Sequence, residues 1–134
     1  MPTDPSILGF SNPWYPDGVK YSTEHNIDNA GSIRIFTSPY FIASKFEAFN
    51  TRGKGDLYAS HDLEDILFVL DHRDSIEEEL SVAESKVKEY LKSQFTSLLN
   101  KRSFEEALLG HVKQFDQIQR KDRIIEILKK FVLQ

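Results

Sequence analysis

The chain has 134 residues and a mass of 15.5 kDa, enough for one domain with its own hydrophobic core. It contains no cysteine, which excludes disulfides, thiolate metal ligands and cysteine nucleophiles and is typical of a reducing compartment. Its net charge of −4 argues against a general nucleic-acid binder, and no apolar run approaches the roughly 20 residues that a membrane span needs. We therefore expect a cytoplasmic protein.

The first part of the chain differs in composition from the rest. All five prolines lie within the first 39 residues, and five of the six glycines lie within the first 55. Because proline and glycine break helices and favour turns, residues 1–38 are predicted to be turn-rich with a short strand. The strand is predicted over Ser32–Thr37 from its β-branched content. Residues 12–18 are predicted as consecutive turns that present the rings of Trp14 and Tyr15.

Residues 39–73 are predicted to form two short helices around a glycine-rich loop. Ser38 is a suitable N-cap and Pro39 fits the first helical position, so the first helix begins there. The second helix is predicted from about His61 to Asp71, with carboxylates near its start that favour the positive end of the helix dipole.

Residues 74–134 are predicted to be a helical bundle. The predicted fold class is therefore α+β, mostly α, in a single domain 1–134 whose strand-and-loop start is followed by helices. The predicted helices run from a capping box at Ser75 and Glu78 to about Lys101, from a capping box at Ser103 and Glu106 to about Gly110, and from about Gln117 to Leu133.

The densest group of polar side chains lies around the loop between the first two helices. Lys45 and Arg52 are two helical turns apart and share a face, and Asp62 and Asp65 share a face of the next helix. Antiparallel contact of the helices would bring these charges together, an arrangement that can bind phosphate directly or through a divalent ion. A purely structural role fits equally: the aspartates complement the helix dipole and the lysine extends to solvent. Accessory candidates in the same group are Lys54, Asp56 and His61.

Phosphate-transfer and metal-binding motifs are incomplete in this sequence. Gly31-Ser32 resembles the start of a nucleotidyltransferase signature, but no carboxylate follows before Glu47, so the paired metal-binding carboxylates are missing. Backbone N–H groups of Arg52–Gly55 could hold phosphate, yet the loop lacks Walker spacing, and a flexible connector is the alternative. The four histidines show no metal-ligand spacing. We predict no catalytic residue and no metal ligand.

The stretch Pro39–Asp56 resembles the middle region of AbiEii-type nucleotidyltransferase-like proteins, which are related to toxins of bacterial abortive-infection and toxin–antitoxin systems. In that family a helix with a lysine and a following arginine leads through a loop to an aspartate-rich helix. Ser60–Ile66 is similar to that second helix. Residues 1–4 and 7–12 also resemble a segment that follows the third core strand in one branch of the family. The resemblance thus covers residues 1–73.

The resemblance implies functional roles for four residues. Lys45 matches the motif lysine, Arg52 the following arginine, and Asp62 or Asp65 the later acidic motif; these positions would help bind a nucleoside triphosphate or order the site. An intact family member would transfer NMP from an NTP to an RNA or protein acceptor with Mg²⁺. The family's glycine-serine turn and paired aspartates precede this region and are absent here, so we expect no transfer by the chain alone and no cofactor of its own.

Several interpretations of the missing half stay open: a missed upstream start, a gene split or decayed to its C-terminal part, and an expressed fragment. The alternative function is a non-catalytic interaction module, in which the long amphipathic helices form a homo-oligomer or bind a partner protein such as the missing N-terminal half. A third hypothesis is a small domain that binds a nucleotide or nucleic acid through Trp14, Tyr15 and the basic loop.

Overall fold

The computed structural model describes residues 12–27, 31–53, 56–111 and 117–134. Within these ranges the chain forms seven helices and one β-hairpin, which confirms the predicted mostly-α α+β class. None of these helices combines the length and apolar character needed to cross a membrane. In chain order the elements are α1 Tyr15–Lys20, β1 Thr23–Ile27, β2 Gly31–Ile35, α2 Ser38–Thr51, α3 His61–His72, α4 Ile76–Ser81, α5 Ser85–Leu99, α6 Phe104–His111 and α7 Gln117–Val132.

The predicted run of turns over residues 12–18 is correct at residues 13 and 14 but wrong beyond them, because Tyr15 begins a short helix. Pro16 lies in its first turn, where its missing N–H would have no intrahelical acceptor. Trp14 is only 5% exposed, and its ring centroid lies 4.8 Å from that of Tyr90. Tyr15 is half-buried and packs edge-on against Phe36 at 5.9 Å. The two rings anchor α1 to the rest of the protein and are not presented together as a platform for a ligand.

The hairpin also differs from the prediction. The structure begins the second strand at Gly31 and ends it at Ile35, and pairs it antiparallel with β1, with Thr23 opposite Ile35. No strand was predicted at β1, because its sequence, Thr-Glu-His-Asn-Ile, lacks apolar alternation. Gly31 has a φ of +87°, a left-handed conformation that glycine adopts without strain.

Helix α2 lies in the middle of the hydrophobic core, and its apolar residues cover more than one face. Ile42, Phe46 and Phe49 are each at most 2% exposed. The Phe95 ring of α5 lies edge-on to Phe46 at 5.4 Å and to Phe131 of α7 at 5.6 Å. This chain of rings joins three helices through aromatic contacts that add to their burial. The last helix, α7, turns four apolar residues into this core, all of them buried: Ile124, Ile127, Leu128 and Phe131.

The single helix predicted from Ser75 to about Lys101 is wrong, because the structure divides it into α4 and α5. The break lies at residues 82–84, where neither glycine nor proline marks it. The predicted capping box does not form. The Ser75 hydroxyl instead donates to the Glu79 carboxylate at 2.5 Å, and makes no cap bond to the backbone.

Candidate functional site

The turn between α2 and α3 fixes how the two helices meet. Asp56 accepts hydrogen bonds from the backbone N–H groups of Tyr58 and Ala59 at 3.0 and 3.1 Å. Ser60 then caps α3, its hydroxyl accepting from the backbone N–H of Leu63 at 3.2 Å. Gly53 allows the close return, since a Cβ there would lie 2.8 Å from the Phe49 carbonyl oxygen. These local contacts place the start of α3 beside the last turns of α2.

Four charged side chains meet at this junction, and we name them the α2–α3 cluster: Lys45, Arg52, Asp62 and Asp65. Arg52 donates two hydrogen bonds to the Asp62 carboxylate, from Nη2 to Oδ1 at 3.1 Å and from Nε to Oδ2 at 3.4 Å. Lys45 Nζ lies 2.8 Å from Asp65 Oδ2 and 3.6 Å from Asp62 Oδ1. The predicted proximity of these four residues is therefore observed, and each carboxylate faces at least one cation.

Exposure divides the cluster into an inner and an outer part. The Asp62 side chain is 10% exposed, whereas those of Arg52 and Asp65 are 61% and 48% exposed. The hydrogen bond that Arg52 donates to Asp62 raises the pKa of the Arg52 guanidinium above its usual range, against the opposing effect of burial. The Asp62 carboxylate is thus largely buried, while most of the Arg52 side chain is open to solvent.

Lys45 is held from two sides. Its ammonium lies 5.6 Å from the ring centroid of Phe41, one helical turn earlier, in a cation–π arrangement. On the other side it bridges the two aspartates. Two cations and two carboxylates give the cluster no net formal charge. An anion therefore binds well here only if one of the two cations gives up its contact with a carboxylate and contacts the anion instead.

The accessory candidates do not join this cluster in the same way. Asp56 orders the turn through backbone groups. The His61 side chain is 94% exposed, and its Nδ1 lies 3.6 Å from Glu64. Lys54 lies outside the described residues. Among the residues that the structure describes, no group of three or more His, Asp or Glu side chains is arranged to hold a metal ion. The Mg²⁺ that the family resemblance implies has no matching donor set here, since both cluster aspartates already face cations.

A second ion-pair group was not foreseen from the sequence. We name it the α3–α7 cluster: Asp71, His72, Arg120 and Arg123. Arg120 Nη2 donates to the Asp71 carboxylate and lies 3.1 Å from His72 Nε2, and Arg123 donates to the Asp71 backbone carbonyl at 2.5 Å. The Asp71 and Arg120 side chains are only 6% and 14% exposed. Because the partners are 49 residues apart in the chain, no local pattern could have identified them.

An open groove of about 540 Å³ lies between the hairpin end and the α4–α5 turn. One wall carries Glu79, whose carboxylate accepts from Ser38 Oγ at 2.5 Å and from Arg73 Nε at 2.7 Å. Burial alone would raise the pKa of Glu79, but the hydrogen bonds from Arg73, Ser38 and Ser75 outweigh it and lower the pKa to about 2. Two exposed apolar side chains line the groove, Ile35 at 44% and Val82 at 75% exposed.

Comparison of the chain with protein-family models, curated proteins and solved structures gave no match.

Proposed function

We propose that this chain supplies a phosphate-recognition part of an AbiEii-like nucleotidyltransferase site, and that it transfers no nucleotide by itself. The observation that carries the proposal is the convergence of Lys45 and Arg52 on one buried carboxylate, Asp62, at the α2–α3 junction. A fixed lysine and a fixed arginine on one face are suited to grip a polyphosphate, the arginine as a planar fork and the lysine as a point charge.

The burial pattern supports this role over a purely structural one. When both partners of an ion pair are buried, the pair stays closed, because neither group can return to water at low cost. Here the carboxylate is buried while the Arg52 side chain is 61% exposed, so the guanidinium remains within reach of a ligand. Asp62 then acts as a positioning residue that orients the cation.

The lack of transfer follows from the donor set. Nucleotidyl transfer needs metal ions to neutralise the triphosphate and activate the nucleophile. The two aspartates of the cluster are engaged by Lys45 and Arg52 instead. Magnesium and any NTP added to the purified chain should therefore give no labelled product, and labelled RNA or protein would overturn this part of the proposal.

The binding role is tested by titrating ATP into the chain by calorimetry at low ionic strength. We expect Lys45→Ala and Arg52→Ala each to weaken binding about tenfold, the size of one charge-assisted contact. Lys101→Ala and Arg102→Ala are matched controls, because they remove the same charges from exposed positions between α5 and α6. Equal weakening by the controls, or no ATP binding by the wild type, would refute the proposal.

A second candidate function, a non-catalytic interaction module, is favoured by the groove beside Ile35 and Val82. Exposed apolar side chains beside a groove are typical of surfaces that meet another protein. If the partner is a second copy, light scattering should give twice the chain mass at high concentration, and Val82→Asp should restore the monomer. A monomer at all concentrations would refute self-association through this surface.

A further inference from the structure

We propose that Asp65 is an internal competitor for the phosphate ligand: it occupies the Lys45 ammonium in the free protein and must release it when an anion binds. This inference rests on the phosphate-recognition role proposed above. It changes the role of Asp65 from a residue that helps to bind the nucleotide into one that limits its affinity.

The first argument is the division of contacts within the cluster. Lys45 Nζ lies 2.8 Å from Asp65 Oδ2 but 3.6 Å from Asp62 Oδ1, so its stronger partner is Asp65. Asp62 also accepts two hydrogen bonds from Arg52, and neither involves Lys45. Release of Lys45 from Asp65 therefore leaves the buried carboxylate compensated.

The second argument is solvent access. The Asp65 side chain is 48% exposed, so its carboxylate can return to water when it loses Lys45. The Lys45–Asp65 pair is partly solvated, at 27% and 48% exposure of the two side chains, and breaking a solvated ion pair has a small free-energy cost. Asp62 is 10% exposed, so loss of a cation there would remove part of the compensation of a largely buried charge.

The third argument is that the Lys45 side chain stays oriented when its ion pair with Asp65 is broken. The ammonium lies 5.6 Å from the Phe41 ring centroid, and the two residues are one turn apart on α2. The ring face attracts the cation independently of any carboxylate. Lys45 thus has two anchors besides Asp65, namely Phe41 and Asp62, and stays at the junction for an incoming phosphate.

The test compares ATP affinity in Asp65→Asn and wild type by calorimetry. We expect Asp65→Asn to bind ATP about threefold more tightly, the range of an exposed ion pair. Glu64→Gln is the matched control, because it removes the same charge from the neighbouring exposed residue of α3, whose side chain is 58% exposed. If Glu64→Gln raises ATP affinity as much as Asp65→Asn does, the effect comes from the overall charge of the protein and the inference is wrong.

A double-mutant cycle shows whether Asp65 acts through Lys45. In the Lys45→Ala background we expect Asp65→Asn to leave ATP affinity unchanged, since no ammonium remains to be released. Circular dichroism of each variant confirms that it folds, and Asp65→Ser serves if Asp65→Asn does not. If wild type binds ATP and Asp65→Asn binds equally or more weakly, the competitor role is wrong and phosphate recognition stands. If no variant binds ATP, both are wrong.

Discussion

Helix α3 carries a largely buried carboxylate near each end, and the two are used differently. At its start Asp62 faces Lys45 and Arg52, and at its end Asp71 faces Arg120 and Arg123. Both aspartate side chains are at most 10% exposed. The cations differ: the principal partner at the far end, Arg120, is 14% exposed, whereas Arg52 is 61% exposed.

This difference distinguishes an ion pair that holds two helices together from an ion pair that a ligand can reach. A buried carboxylate paired with a buried arginine holds two helices together, because neither partner can return to water at low cost. A buried carboxylate paired with an exposed arginine fixes one end of the cation and leaves the other end in solvent. The α3–α7 cluster is of the first kind and the α2–α3 cluster is of the second.

The largest expected effect comes from the far end of α3. Asp71→Ala should lower the free energy of unfolding by about 3 kcal/mol, because Arg120 would remain buried without its carboxylate. Urea denaturation followed by circular dichroism measures this. ATP affinity should not change. A loss below about 1 kcal/mol, the value of an exposed ion pair, would contradict the claim that the Asp71–Arg120 pair holds α3 and α7 together.

Glu79 gives an intermediate case, since one cation and two hydroxyls hold its carboxylate. Its pKa of about 2 in the folded protein lies below the ordinary value of 4.5. A depressed folded pKa stabilises the protein above the unfolded pKa, and this contribution is lost as the pH falls through the folded value.

The stability difference between wild type and Glu79→Gln should therefore be about 2 kcal/mol at pH 7 and shrink between about pH 5 and pH 2. Urea unfolding over this pH range provides the measurement, and Glu78→Gln is the exposed control. A difference that does not depend on pH would show that the carboxylate charge contributes nothing.

Asp62→Ala should have a smaller effect on stability, about 1.5 kcal/mol, because the exposed Arg52 and the partly exposed Lys45 can regain water. It should nevertheless weaken ATP binding, since Arg52 loses the carboxylate that orients it and Lys45 loses one of its contacts. Urea unfolding and calorimetry measure the two effects separately. A loss of stability equal to that of Asp71→Ala would show that the two carboxylates have the same role, and would contradict the distinction between the α2–α3 and α3–α7 clusters.

The smallest expected effect on stability is that of Asp65→Asn, below about 0.5 kcal/mol, because the Asp65 side chain is about half exposed and its pair with Lys45 is partly solvated. Thermal unfolding beside Glu64→Gln measures it. A loss above about 1 kcal/mol would place Asp65 among the structural residues, where release of Lys45 is too costly for a ligand exchange.

The α2–α3 cluster could be predicted from the sequence because its geometry is local. Spacings of seven and three residues place each pair on one face of its helix, and the short loop between the two consecutive helices favours the contact that brings the pairs together. The α3–α7 cluster could not, since Asp71 and Arg120 meet only after four further helices have packed. Their contact depends on tertiary structure rather than on any local pattern.

The same distinction explains which parts of the fold were predicted. Helices α2 and α3 have local signals, namely a proline in the first turn of α2 and carboxylates in the first turn of α3. The predicted N-cap of α2 is wrong, because Thr37 is the N-cap and the Ser38 hydroxyl donates to Glu79. Strand β1 has none, because its pairing with β2 rather than its own composition makes it a strand. At Ser75 the capping pattern was misleading, because the hydroxyl donates to the charged Glu79 carboxylate and makes no cap bond to the backbone.

The central claim, that the α2–α3 cluster is the ligand-accessible end of α3, is tested most directly by an NMR titration of the folded chain with ATP. The account predicts that backbone amide shifts concentrate near residues 45–52 and 62–65, and that Arg52→Ala, but not Arg102→Ala, raises the dissociation constant about tenfold. No shifts in this region, or shifts centred on Arg120 and Arg123, would contradict it.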